Sequence, residues 1–344
     1  MWEAKQLDAM PVHFIFCTER TGSSLLTAML NMHPALLVAS EEPFALYFQA
    51  KYQAKTTWTT KEISAFTKAF CSMFEKQFRL YYDGEKTLYD SMHHLATELS
   101  YDRLIKLCYI NFYDSQVKPK DTVRVLIDKQ MKYVYQASFV KQRFPNAKIL
   151  ILTRDVLPNV KAKKRRRIDF LHHPYYLAHL WKNTYERCLT FPHSMLVSFE
   201  DLIAQPETVL ASINAYFEVA YADQQLEYTQ GFNALISQRQ EGLSQPYIEE
   251  LKDFHRGILQ QPIQGKEVSL SHHQEAMILK KTESVRKALG YAIQEPSITP
   301  NAFDFIAWRW YGVLAYVGRT WLWTTYARIP LSIKRLLRKR KELA

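Results

Sequence analysis

The run VHFIFC at residues 12–17, continued by Thr18-Glu19-Arg20-Thr21-Gly22 and then Ser23-Ser24-Leu25-Leu26, decides the fold. The run is too short for a membrane span or the apolar core of a secretory leader, and it reads as a buried strand. A polar turn with a glycine and hydroxyls follows, then a helical pattern over Ser23–Met32 that ends near His33-Pro34. A strand feeding a helix through a tight loop is an anion-binding arrangement. The first N–H groups of the helix lack intrahelical acceptors, and the helix dipole favours negative charge there. Arg20 adds a fixed cation, and Ser23 and Ser24 add hydroxyl donors. The competing reading is an ordinary helix capped by Ser23. The GK[ST] signature and upstream glycine of an ATPase loop are absent, which weakens an ATP- or GTP-hydrolysing reading.

Outward from this stretch, short apolar runs at 36–39, 123–127, 148–153 and 195–198 read as further strands. Helical patterns at 61–82, 99–115, 133–144, 206–217 and 274–289 separate or follow them, and residues 222–275 read as helices plus a loop. Buried strands alternating with amphipathic helices specify an α/β fold: a P-loop-type parallel sheet covered on both faces by helices. A second strand-to-helix junction lies at Ile149–Thr153, followed by Arg154-Asp155-Val156-Leu157-Pro158-Asn159. In a parallel sheet the C-terminal strand ends share one edge, so Arg20 and Arg154 are expected at one crevice. Two anion sites there suit a ligand with phosphates at both ends. For Arg154 the competing reading is an ion pair with Asp155 or a surface charge.

Together these residues resemble the sulfotransferase superfamily that uses 3′-phosphoadenosine 5′-phosphosulfate (PAPS), and most closely its tyrosylprotein-sulfotransferase-like and bacterial branches. Arg20-Thr21-Gly22-Ser23-Ser24-Leu25 is similar to the family's RSGTTL loop for the 5′-phosphosulfate. Glu41-Glu42 stands where that branch has an acidic pair, which would make Glu42, or Glu41, the catalytic base. Lys129 resembles the family's NK(D/T)P lysine. Phe144-Pro145-Asn146-Ala147-Lys148 with Arg154-Asp155 resembles FPNAK…RD, and Trp181 with Ser198-Phe199-Glu200-Asp201-Leu202 resembles W…YEDL. The resemblance covers about residues 12–290. It implies that Arg20, Lys129 and the loop hold the sulfuryl end, and that Arg154 holds the 3′-phosphate.

The chain departs from the pattern in three places, the first an extra residue between Pro34 and Glu41 that leaves Glu42, favoured by the motif, beside Glu41 as the match to the base. The serine expected eight residues after Arg154 is Ala162, with Asn159, Lys163 and Arg166 near enough in sequence to serve the 3′-phosphate instead. After Lys129 the pattern's DxP gives way to Gln130-Met131. By analogy with phosphoryl transfer, such a site needs cations for the equatorial oxygens and a carboxylate for the acceptor hydroxyl's proton. No metal is expected, because no His/Cys/Asp cluster suggests one.

The chain of 344 residues carries a formal charge of +11, unevenly spread. Residues 301–344 hold nine Lys/Arg against Asp304 and Glu342, so this stretch supplies most of the excess. The body is only mildly basic, and nucleic acid is not an expected partner. Residues 1–294 read as the sulfotransferase domain and 301–344 as an aromatic and basic C-terminal helical appendage. Arg309, Arg319 and Arg328 interrupt its aromatic run, so it suits a helix lying on an anionic membrane surface. The alternative is a helical hairpin packed on the domain or on a second protomer of a homodimer. The six cations at 161–167 read as a first turn serving the 3′-phosphate followed by a face that attracts anions, and His172-His173 as possible lining of an acceptor cleft. Four well-separated cysteines fit a reducing compartment, and the expected location is cytoplasmic, including the cytoplasmic face of a membrane. Two rival functions are a nucleotide-dependent kinase and a non-catalytic membrane- or nucleic-acid-binding protein on a relict nucleotide fold.

Overall fold

The computed structural model describes residues 2–40, 44–73, 84–111, 118–165, 171–229 and 268–334. Its centre is a five-stranded sheet, β1 (Val12–Phe16), β2 (Leu36–Ser40), β3 (Val125–Lys129), β4 (Ile149–Thr153) and β5 (Met195–Ser198), in the order β2-β3-β1-β4-β5. Every pairing is parallel. Every residue of β1, β3 and β4 is buried, as expected of strands covered on both faces.

The two faces belong to different cores. Phe14 and Phe16 of β1 point into the larger core, while Ile15 and Cys17 point into the smaller. The smaller core is roofed by α2 (Ser23–Met32) through Leu26, Met29 and Leu30, and by α11 (Pro206–Tyr216) through Leu210 and Ile213. Between β5 and α11 lies the short α10 (Phe199–Ala204). The larger core takes α1 (Ala4–Ala9), α3 (Phe44–Tyr52), α4 (Thr60–Met73), α5 (Glu85–His94), α6 (Tyr101–Ile110), α7 (Ala137–Arg143), α8 (Val156–Arg165) and α9 (Pro174–Cys188). The chain therefore leaves β1 toward one face and β4 toward the other. Adjacent strands whose connections diverge in this way open a crevice between their C-terminal ends, the usual ligand position in such sheets.

Three sequence expectations shift. The third strand runs Val125–Lys129, so Lys129 ends the strand rather than following it. The helix expected over 133–144 is a 3₁₀ turn, Met131–Gln136, followed by α7. Between the helical patterns expected at 61–82 and 99–115 the chain forms α5, which buries only Leu88, Ser91 and Met92 and so shows little apolar periodicity. The expectations for 74–82, 112–115 and 230–267 fall outside the described residues.

Downstream, α12 (His272–Ala288) opens on a capping box from Ser271 and Gln274. The C-terminal helix α13 (Ala302–Ala315) continues into a π-helical stretch, Tyr316–Trp321, then Leu322–Thr325. It lies along α9. Tyr175 Oη donates to Asp304 at 2.7 Å, the His179 ring and Trp308 lie 4.0 Å apart, and His173 stacks on Tyr311 at 3.8 Å. His173 also caps α9, so it serves this packing. Lys334 closes the arrangement by donating to the Leu46 carbonyl of α3 at 2.8 Å. No helix among the described residues is long and apolar enough to cross a membrane.

Asp128 lies in the interior beside Lys129 and accepts from Tyr109 Oη at 2.5 Å. Burial pushes its carboxyl from 3.8 up to about 7, against the opposing pull of tyrosine hydroxyls and Lys129. The folded chain thus keeps a proton that the unfolded chain releases near pH 4. This contribution to stability is complete below that pH and is lost as the pH rises toward 7. Denaturant melts of the parent and of Asp128→Asn should converge or cross as pH rises from 4 to 7. The variant should gain up to roughly 4 kcal/mol relative to the parent, and a pH-independent difference would refute the assignment.

Candidate active site

The loop after β1 is shaped by two left-handed residues, Arg20 at φ 63° and Gly22 at φ 82°. Gly22 has two reasons to be glycine. Its backbone disfavours a side chain, and an added Cβ would sit 2.2 Å from Phe199 Cδ2. It is also the residue that caps α2, and it provides no side-chain bond to the helix start. Ser23 is the first helical residue and not the cap, and among the described residues no side chain caps the first-turn N–H groups. Ser23, Ser24 and Leu25 are half-buried along that turn, whereas Thr21 is buried and donates inward to the Thr18 carbonyl at 2.9 Å.

The second limb comes from β4. Arg154 Nη1 donates to the Arg20 carbonyl at 3.2 Å, so the two junctions meet as the topology requires. The guanidinium lies 4.7 Å from the centre of the Phe199 ring, and Trp181 Nε1 holds the Arg154 carbonyl at 2.9 Å. Burial lowers the Arg154 pKa, only partly offset by nearby Glu200. Asp155 does not pair with Arg154. It takes a two-pronged bond from Arg286 of α12 at 2.8 and 2.9 Å, while its N–H donates to Glu200, which also accepts from Tyr291. Asn159 donates to the Glu19 carbonyl at 2.8 Å. Arg154 Nε and Asn159 Oδ1 are buried with no hydrogen-bond partner among the described residues. A buried donor and acceptor left open at the same crevice are what a phosphate and a hydroxyl- or amino-bearing group would satisfy.

Glu19 is the unexpected member. A carboxylate beside the start of α2 opposes the attraction of the helix dipole's positive end for anions unless it is neutralised. Two cations do this. Lys163, fully buried, donates to Thr18 Oγ1 at 2.6 Å and lies 3.4 Å from Glu19 Oε2. Arg319, from the π-helical stretch, pairs with Glu19 Oε1. Burial pushes the Arg319 pKa down to about 10, which leaves it charged at neutral pH. Lys163, suggested by sequence as a donor to a 3′-phosphate, therefore points at the underside of the loop. Ala162 beside it is buried and offers no polar group. Nothing in the sequence pairs Arg319 with Glu19, 300 positions apart; there it reads only as a break in an aromatic run.

Lys129 is buried at the edge where β3 stands between its neighbours, in register with Ile15 of β1 and Ser40 of β2. Glu41, Glu42 and Arg166 lie outside the described residues; β2, which leads to the two glutamates, ends at Ser40.

A search of curated proteins returns no match. Among solved structures, the sulfotransferase domain from the curacin biosynthetic pathway is 16% identical, with a TM-score of 0.47, covering 83% of this chain and 99% of its own. The sulfotransferase domain of the Synechococcus PCC 7002 olefin synthase is 17% identical, with a TM-score of 0.48, covering 83% and 96%. A sulfotransferase from Alicyclobacillus acidocaldarius is 16% identical, with a TM-score of 0.34, covering 68% and 98%. Similarity this low carries no assignment. The sequence profile of the sulfotransferase family, by contrast, matches residues 11–223, which take in both strand-to-helix junctions and all five strands. This chain belongs to the sulfotransferase family.

Proposed function

We propose that the protein transfers a sulfuryl group from PAPS to a hydroxyl-bearing acceptor. The observation that carries the reading is the meeting of Arg20 and Arg154, delivered by β1 and β4 to one crevice and joined by a 3.2 Å hydrogen bond. A ligand phosphorylated at both ends is the natural occupant of two adjoining cationic junctions. PAPS, when bound, supplies the sulfuryl group and the bisphosphate that leaves.

In this reading the first-turn N–H groups of α2, with Arg20, Thr21, Gly22, Ser23, Ser24 and Leu25, hold the 5′ end. Lys129 and Arg20 neutralise charge that develops on the leaving oxygen, stabilisation that acts without reorganisation because both are held in place beforehand. Arg154 takes the 3′-phosphate through its open Nε, and the open Oδ1 of Asn159 accepts from a neighbouring hydroxyl or amino group. Lys163 and Arg319 keep Glu19 from repelling the ligand. Glu42, with Glu41 as its neighbour, accepts the acceptor's proton as the oxygen–sulfur bond forms and the sulfur–phosphate-oxygen bond breaks. We place the enzyme in the cytoplasm, in keeping with four cysteines that lie far apart in sequence with no CxxC pair.

Calorimetry with adenosine 3′,5′-bisphosphate and with ATP tests this directly. The bisphosphate should bind and ATP should not. Preference for ATP would make the protein a kinase, and binding of neither would make it non-catalytic. Arg20→Ala should reduce transfer by at least ~10²-fold, on the scale of losing one preorganised donor. Glu42→Gln should lower kcat with bisphosphate affinity nearly intact, and Glu41→Gln should do little; the reverse ranking would move the base to Glu41. Arg319→Gln leaves Glu19 short of one cation. It should cost about 2 kcal/mol in denaturant melts and weaken bisphosphate binding, because a half-buried carboxylate loses its partner beside the loop. Unchanged stability and affinity would show that Lys163 alone suffices.

A further inference from the structure

The helix α13 and the turn after it have two apolar sides. The inner side is spent on α9 through Trp308, Tyr311 and Ala315. On the outer side, Phe303, Ile306, Trp310, Val313, Val317 and Trp321 are each more than half exposed. The first five recur at spacings of three and four, so they form one continuous stripe. At 1.5 Å per residue, it is about 20 Å long. Nothing among the described residues covers it.

Cations stand around this stripe. Lys280 and Lys281 of α12 lie over the Phe305 ring at 5.4 and 4.9 Å, and Lys132 lies over Trp323 at 4.2 Å. Lys182 and Arg309 line a groove of about 470 Å³ that Val313 and Tyr316 also line, and Arg328 is exposed at the far end. Within residues 301–334 the single acid, Asp304, is buried and engaged by Tyr175. Glu186 near the groove is engaged by Lys182.

We infer that this face docks on an anionic lipid surface, with the stripe in the headgroup–acyl boundary and the cations on the lipid phosphates. Charge decides between occupants. A second copy would bring one ring of cations against another, with no exposed acid on the segment to meet them, whereas an anionic leaflet complements Arg309, Arg328 and the lysines other than Lys182, which Glu186 engages. Tryptophan and tyrosine beside arginine also suit an interface that is apolar on one side and wet on the other. The protein lies on the surface and does not cross it, in keeping with the absence of a spanning helix among the described residues. The inference does not depend on the catalytic reading, since docking needs neither donor nor acceptor.

The experiment is co-sedimentation of the full chain with vesicles of phosphatidylcholine alone or mixed with phosphatidylglycerol. Binding should appear only with the anionic vesicles and weaken as salt is added. Trp310→Ser with Val317→Ser should reduce it by at least ~10-fold at an unchanged melting temperature, because both side chains are exposed. Arg309→Gln and Arg328→Gln should each reduce it about fivefold. Phe303→Ser, the most exposed position of the stripe, gives an independent reading if the double variant folds poorly. Failure of the full chain to bind anionic vesicles at low salt would overturn the inference. So would binding that ignores the stripe variants, which would assign it to the basic residues after 334. Concentration-dependent self-association lost in Trp310→Ser, without vesicle binding, would give the face to a second copy instead.

Discussion

The ring of Phe199 against Gly22 is the constraint on which the site depends. Phe199 follows directly on β5, Gly22 belongs to the loop after β1, and the same ring carries the guanidinium that ends β4. One aromatic side chain thus fixes the relative positions of three strand ends. Any side chain at residue 22 would collide with it. The left-handed turn at Arg20 and Gly22 is what lets the loop pass under the ring and still present the start of α2 to the crevice. Packing and chemistry are one arrangement here: the ring that Gly22 packs against also carries the Arg154 guanidinium.

Charge is handled by the same economy. Arg20, Lys129, Arg154, Lys163 and Arg319 crowd one edge of the sheet, where desolvation and mutual repulsion both oppose them. Glu19, Asp155 and Glu200 are interleaved with them. Each acid also accepts from a specific neighbour: Glu19 from Thr18, Asp155 from Arg286, Glu200 from Tyr291. Arg286 is almost fully buried and survives there because its two donors meet both carboxylate oxygens of Asp155. Such pairs add little net stability, but removing one partner leaves a buried charge alone. The edge is therefore sensitive to single changes while tolerating its own high charge density.

Much of this was legible in the sequence. The strands at β1, β4 and β5 announce themselves by apolar runs bounded by polar turns, and Arg20 and Arg154 by their places after two of those strands. The Phe199 landmark was visible as part of a motif, but its contact with Gly22 was not, since contacts across 177 positions have no local signature. β3 was displaced by two residues because Val123 is as apolar as the strand and register comes from the neighbouring strands. α5 escaped because it is nearly all polar. α9 carries most of the packing of the C-terminal segment, yet in sequence only Trp181 stood out from it, although His179, Lys182, Asn183, Glu186 and Arg187 recur at helical spacing opposite its ten buried positions. Arg319 was misjudged for a physical reason: in a row of aromatics a cation reads as a wet position, while the fold turns it inward onto an acid.

The Glu19–Arg319 pair has a consequence in time. During synthesis the second counter-ion of the loop follows Glu19 by 300 residues. At ordinary ribosomal speed that interval is roughly 15–60 s. Throughout it, every strand of the sheet can be made while the loop after β1 still carries a partly uncompensated carboxylate. The loop's charge is thus balanced in two stages, and the second waits until the π-helical stretch after α13 is laid along α9.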